Sequence, residues 1–117
     1  MIESSGVMLS EQELGCAEQL SRFFPGATPV CCAVEVTLLR AGSTQLREST
    51  LLEFASPGVA IFLSALPLEF DDRVRLGHDR IGSPADAIVI AVQYHEGRKA
   101  VAVRFTPGPC EWVTQPR

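Results

Sequence analysis

The feature that most restricts this chain is a change of period. From Val30 onward, Val30, Cys32, Val34, Val36 and Leu38 alternate with Cys31, Ala33, Glu35, Thr37 and Leu39. Successive side chains on a strand point to opposite faces, so this stretch predicts a strand with one strongly β-branched face. Turn-forming clusters cut the remaining chain into similar short pieces: Ala41-Gly42-Ser43, Ser56-Pro57-Gly58, the loop-like stretch from Gly77 to Ala85, His95-Glu96-Gly97, and Pro107 with Pro109. Between them lie a second strand from about Thr44 to Phe54 and a short one, Val59 to Leu63, that is apolar on both faces. Val74 and Leu76 alternate with Arg73 and Arg75. Ile88, Ile90, Val92 and Tyr94 mark a fifth strand, and Val101, Val103 and Phe105, alternating with Ala100, Ala102 and Arg104, a sixth. Strands joined by short turns, one every 12 residues or so, predict a mainly β, antiparallel barrel or sandwich.

Upstream the period is helical. Ser10-Glu11-Gln12-Glu13 has the capping-box form, with Leu9 before the cap and Leu14 at the staple position, so a helix is expected to start at Ser10. Leu14, Ala17, Leu20 and Phe24 follow on one face, Gly15 lies inside the stretch, and Pro25-Gly26 stops it. Because Val59–Leu63 needs cover on two sides, this helix is its expected second cover. The division expected is an N-terminal extension with an amphipathic helix over residues 1–26 and a β-domain over 27–117.

Charge narrows the class of partner. Ten Lys and Arg against fourteen Asp and Glu give a net charge of −4. Residues 1–21 contain Glu3, Glu11, Glu13 and Glu18 and no Lys or Arg, so they carry the whole excess. Neither part of the chain is net basic overall, as release of counterions from DNA or RNA requires, and a local arginine cluster stays open. The N-terminus lacks a basic leader region, and the longest nearly apolar run, Gly58 to Leu68, is 11 residues, where a spanning helix needs about 20. A cytoplasmic protein without membrane insertion is expected.

Catalytic and metal patterns are missing from the sequence. Cys31 and Cys32 are adjacent and face opposite ways on a strand, no Cys-x-x-Cys pair exists, and His78 and His95 show no ligand spacing. Cys16, Cys31, Cys32 and Cys110 are expected to be reduced and buried, with Cys110, toward the chain end, as the exposed redox candidate. There is no nucleophile elbow, zinc-protease helix, P-loop or dinucleotide fingerprint, so the expectation is no enzyme, no catalytic residues, no metal and no cofactor. His78-Asp79-Arg80 reads as a solvated turn.

The order of segments resembles the PilZ domain family. Leu52-Glu53-Phe54-Ala55-Ser56-Pro57-Gly58 followed by Val59-Ala60-Ile61-Phe62-Leu63 is similar to that family's central hairpin, which carries (Asp/Asn)-x-Ser-x-x-Gly before a strand. Leu66 to Leu76 resembles its loop and fourth strand, and Ile88 to Phe105 its last hairpin, so the likeness covers roughly residues 22–106. It implies a six-stranded antiparallel PilZ-like β-barrel behind the N-terminal α-helix, and a bacterial signalling role tied to cyclic di-GMP.

In such a domain two arginines before the first strand fork onto guanine and phosphate, the Asp or Asn meets guanine's donor edge, and the Gly lets backbone approach. Carried over residue by residue, the implied ligand set is Arg22, Glu53, Ala55 and Gly58: one arginine survives, Glu53 replaces Asp or Asn, Ala55 replaces Ser, and Gly58 matches. Phe23-Phe24 stands where further charge belongs and is expected to cap the barrel mouth. The resemblance therefore implies a signalling module with weak or no cyclic di-GMP binding that acts on a protein partner. The alternatives are an atypical cyclic di-GMP receptor that also uses Arg47 or Arg104, and an unrelated small barrel serving in assembly. The acidic helix face and the Leu63–Phe70 loop are the expected partner contacts.

Overall fold

The computed structural model describes residues 15–40, 45–78 and 83–110, and in it the period-two segments pair into a closed barrel. The strands are β1 (Thr28–Leu38), β2 (Leu46–Ala55), β3 (Val59–Leu63), β4 (Arg73–Gly77), β5 (Ala85–His95) and β6 (Arg98–Thr106). Their order is β1-β2-β3-β6-β5-β4, every pair is antiparallel, and β1 closes onto β4 through Glu35↔Gly77 to Leu38↔Val74. Closure leaves no free strand edge.

The alternation read from the sequence fills the interior. Cys32, Val34, Val36 and Leu38 of β1 meet Leu52, Phe62, Val74, Leu76, Val101 and Val103 in one cluster, and Leu66 and Leu68 of the β3–β4 loop join it. β5 differs from the expected face. Ala87 and Val89 point inward, Ile88 and Ile90 outward, and an irregularity between Val89 and Ala91 resets the register so that Val92 packs inside again. A bulge inserts one residue and so exchanges the faces of everything beyond it. The β5–β6 hairpin closes on Glu96 and Gly97, both at positive φ (51° and 79°), the conformation a two-residue turn matched to strand twist requires.

A second cluster forms outside the barrel. The helix α1 (Cys16–Ser21) lays Cys16, Ala17 and Leu20 on Ile61 of β3 and Ala100 and Ala102 of β6, with Phe24, Phe54, Val59, Leu63 and Ile90 around them. The helix is therefore the second cover of Val59–Leu63. Gly15 is not interior to it: this residue is the N-cap, extended at φ −65° and ψ 159°. A glycine is a poor continuation of a helix, so the turn starts after it. The Ser10–Glu13 capping box, Leu14, the Ala41–Ser43 turn, and Asp79 and Arg80 lie outside the described residues. Phe23-Phe24 does not cap the mouth. Phe24 packs on the outer wall and Phe23 is 72% exposed, because the turns after α1, with Phe23 N donating to Leu20 O (3.1 Å) and Phe24 N to Ser21 O (2.9 Å), send the two rings to different sides. Among the described residues no helix is long and apolar enough to cross a membrane.

Candidate functional site

The hairpin carrying the expected ligand motif is built around Ser56. Its N–H donates to Val59 O (2.8 Å), Val59 N–H donates back to Ser56 O (3.3 Å), and Ser56 Oγ accepts from Gly58 N (3.3 Å) and Val59 N (3.2 Å). The serine hydroxyl thus replaces backbone partners at the turn. Gly58 has open space where a Cβ would stand. Its carbonyl accepts from Phe105 N (3.0 Å), and Pro57 O accepts from Cys110 N (2.7 Å), so the end of β6 and the segment after it clamp this turn. Cys110 is consequently buried against the interior cluster, which corrects its reading as an exposed thiol; Cys31 is the exposed one, and none of the four is in a disulfide.

The four candidate ligand residues fall in different environments. Ala55, at the family's serine position, is fully buried and points into the barrel, where its methyl group is core. Glu53 is half-buried at a register shift: β2 pairs with β3 at Leu52 and again at Phe54, leaving Glu53 as the extra residue. Arg22 is exposed at the C-cap of α1. The Glu53 charge reaches the Cys16 thiol at the start of α1, and Arg22 stands at the other end of that helix. Glu53, Ala55 and Gly58 share one hairpin, but the barrel wall turns them apart.

Cys16 shows how tightly α1 is seated. Its Sγ donates to Gln93 O (3.2 Å) at the end of β5. Burial pushes the thiol pKa up and the Glu53 charge adds to this; a backbone hydrogen bond at Ala100 and the charge of Arg98 oppose it. Gln93 Nε2 also donates to Gln19 Oε1 of the helix (2.8 Å).

The cations on the wall are not the expected pair. Arg104 is exposed and pairs across the ladder with Val59, next to Gly58, while its other neighbour, Ile88, pairs with Arg73 of β4. Arg73 and Arg104 thus flank Ile88 on the outside of three adjacent strands, about 10 Å apart. Arg47, opposite Thr37, stands at the far end of the β1–β2 pair. Arg75, the next outward residue of β4, is held by Asp86 at 2.8 Å, and that carboxylate raises its pKa through the hydrogen bond and its charge. The Arg73–Arg104 row was missed in the sequence because register, unlike alternation, cannot be counted along one strand. Among the described residues no group of three or more His, Cys, Asp or Glu is gathered to hold a metal.

No protein-family model matches the sequence, and no curated protein matches it. Among solved structures the chain is similar to the Bacillus subtilis inhibitor of motility, MotI/DgrA, with a TM-score of 0.50 and 13% identity over 70% of this chain and 41% of that one. MotI/DgrA has the PilZ fold. The barrel is PilZ-like in fold. The chain spans less than half the length of the protein it matches, and at that identity the likeness is one of architecture. The β2–β3 turn clamped by Phe105 and Cys110 is the hairpin whose sequence, Leu52 to Gly58, resembles that family's motif.

Proposed function

We propose that this chain is a signalling module of the PilZ type that binds cyclic di-GMP weakly or not at all and acts through contacts with a protein partner. The observation that carries this reading is Ala55: the position that offers a hydroxyl in the family holds a methyl group sealed inside the barrel. One arginine, Arg22, stands where two are used. Charge-assisted hydrogen bonds contribute roughly 1.5–3 kcal/mol each. Losing one such contact and the hydroxyl lowers affinity by about two to four orders of magnitude, since about 1.4 kcal/mol is tenfold. No acid, base and nucleophile converge in the sequence to favour an enzyme. The PilZ-like strand order weighs against an unrelated assembly barrel. Calorimetric titration with cyclic di-GMP tests the reading. No binding heat is expected at low micromolar ligand, and a clear one-site or two-site isotherm there overturns it.

The row of Arg73 and Arg104 favours a second reading, an atypical receptor gripping the dinucleotide on the outer wall beside Gly58. It requires that any isotherm seen disappear in Arg104→Glu; an unchanged isotherm in that variant removes this reading.

A further inference from the structure

At the end of the barrel away from the Ser56 turn, a groove of about 530 Å³ runs between the start of β6 and the β2–β3 pair, lined among others by Glu48, Leu63, Tyr94, Arg98 and Lys99. Its floor is satisfied. The Glu48 carboxylate accepts from Ser64 Oγ and Ala65 N, both at 2.7 Å, and Lys99 Nζ donates to Leu66 O. Its rim is not: Tyr94 is 73% exposed, and Arg98 is exposed with no ion-pair partner among the described residues.

The described residues begin at this rim: Cys16 Sγ lies on the carbonyls of Gln93 (3.2 Å) and Arg98 (3.9 Å), so residues 1–14 are tethered beside the groove. Residues 1–14 contain Glu3, Glu11 and Glu13 and no Lys or Arg, together with Val7, Met8, Leu9 and Leu14. That composition suits a groove whose unanswered groups are a guanidinium, a tyrosine ring and Leu63.

We propose that this acidic N-terminal segment, residues 1–14, docks in the groove, with Glu11 or Glu13 against Arg98 and an apolar neighbour against Tyr94 and Leu63. The distance is suitable: Glu11 lies five residues before Cys16, a reach of at most about 18 Å. Tethering does the rest. A segment attached at the rim is present at an effective concentration on the order of millimolar, so a contact too weak to form between separate molecules is occupied within one.

The full chain supplies the test. Arg98→Lys keeps the charge and places an amine at the rim; zero-length carbodiimide treatment followed by peptide mass spectrometry of the monomer is expected to join position 98 to Glu11 or Glu13. Links found only between molecules, or none from position 98 to residues 1–14, overturn the proposal. The second readout is cleavage after Glu11 and Glu13 by a glutamate-specific protease. Because cleavage follows the population of the released segment, Arg98→Glu is expected to speed it about threefold or more, with the helical content unchanged because Arg98 is exposed. Equal rates in the two proteins overturn the proposal as well.

Discussion

Two walls of the same barrel treat alanine in opposite ways. Ala33 on β1 faces outward opposite Leu51, itself 46% exposed, and is open to solvent. Ala102 on β6 also faces outward, opposite Ile61, yet is fully buried because α1 lies on it. The strands differ accordingly. Along β1, buried and exposed residues alternate from Cys31 to Val36, whereas Ala100, Val101, Ala102 and Val103 of β6 are all buried. A strand covered on one face alternates; one covered on both reads as a continuous apolar run. Among the described residues the β1–β2 wall is open to solvent, and α1 closes the β3–β6 wall.

The sharpest way to break this contrast is Ala102→Lys. The new side chain has no volume to occupy beneath α1, and its ammonium is either buried without a partner or displaces the helix. A loss of about 4 kcal/mol is expected in urea denaturation, the sum of overpacking and a desolvated charge. A loss under about 1 kcal/mol shows that α1 is not a permanent cover. Leu20→Ala attacks the same contact from the helix side. Leu20 is buried against the outer cluster, so its truncation is expected to cost about 2–3 kcal/mol and to make α1 more susceptible to proteolysis while the barrel persists.

How much of this was legible follows from the same difference. The double-sided pattern of Val59-Ala60-Ile61-Phe62-Leu63 specified both the strand and its need for a second cover, because hydrophobic period reports burial directly. Val34, Val36 and Leu38 declared the interior face of β1 for the same reason. What could not be counted was anything set by register or by a local insertion. The irregularity between Val89 and Ala91 turned Ile88 and Ile90 to the outside, and the shift at Glu53 turned it away from Ala55. The juxtaposition of Arg73 and Arg104 depends on how three strands pair. Cys110 was misjudged because its burial comes with the hydrogen bond to Pro57 O that draws the segment after β6 over the β2–β3 turn, a contact with no periodic signal. The candidate ligand residues could be named from their order in the chain, but their separation into wall, core and helix end could not.

A smaller effect sharpens the comparison through pH. Burial and Glu53 raise the Cys16 pKa above that of a thiol in the unfolded chain. The folded state therefore holds the proton more tightly. The resulting stability is fully present below the ordinary thiol range and is lost as pH rises through that range to the folded-state pKa. Denaturation midpoints followed from neutral to alkaline pH are expected to fall less steeply in Cys16→Ala than in the wild type. Parallel curves mean that the helix opens freely enough for the thiol to be hydrated.

The smallest expected effect is the most discriminating control. Ala33→Lys places the same ammonium on an outward β position, but on the bare wall, opposite the exposed Leu51 of β2. The side chain extends into water and its stem lies along Leu51, so no charge is desolvated and no volume is contested. Stability is expected to change by no more than about 0.5 kcal/mol, as for surface positions that hold no cap, network or special backbone conformation. The same substitution on β1 and on β6 thus differs by several kcal/mol although both positions hold an outward-facing alanine. A large loss at Ala33 means that the β1–β2 wall is itself covered in solution, by another part of this chain or by a second copy. Sedimentation of the wild type and Ala33→Lys at the same concentrations separates those two: a second copy lowers the mass on substitution, whereas a covering segment leaves it unchanged.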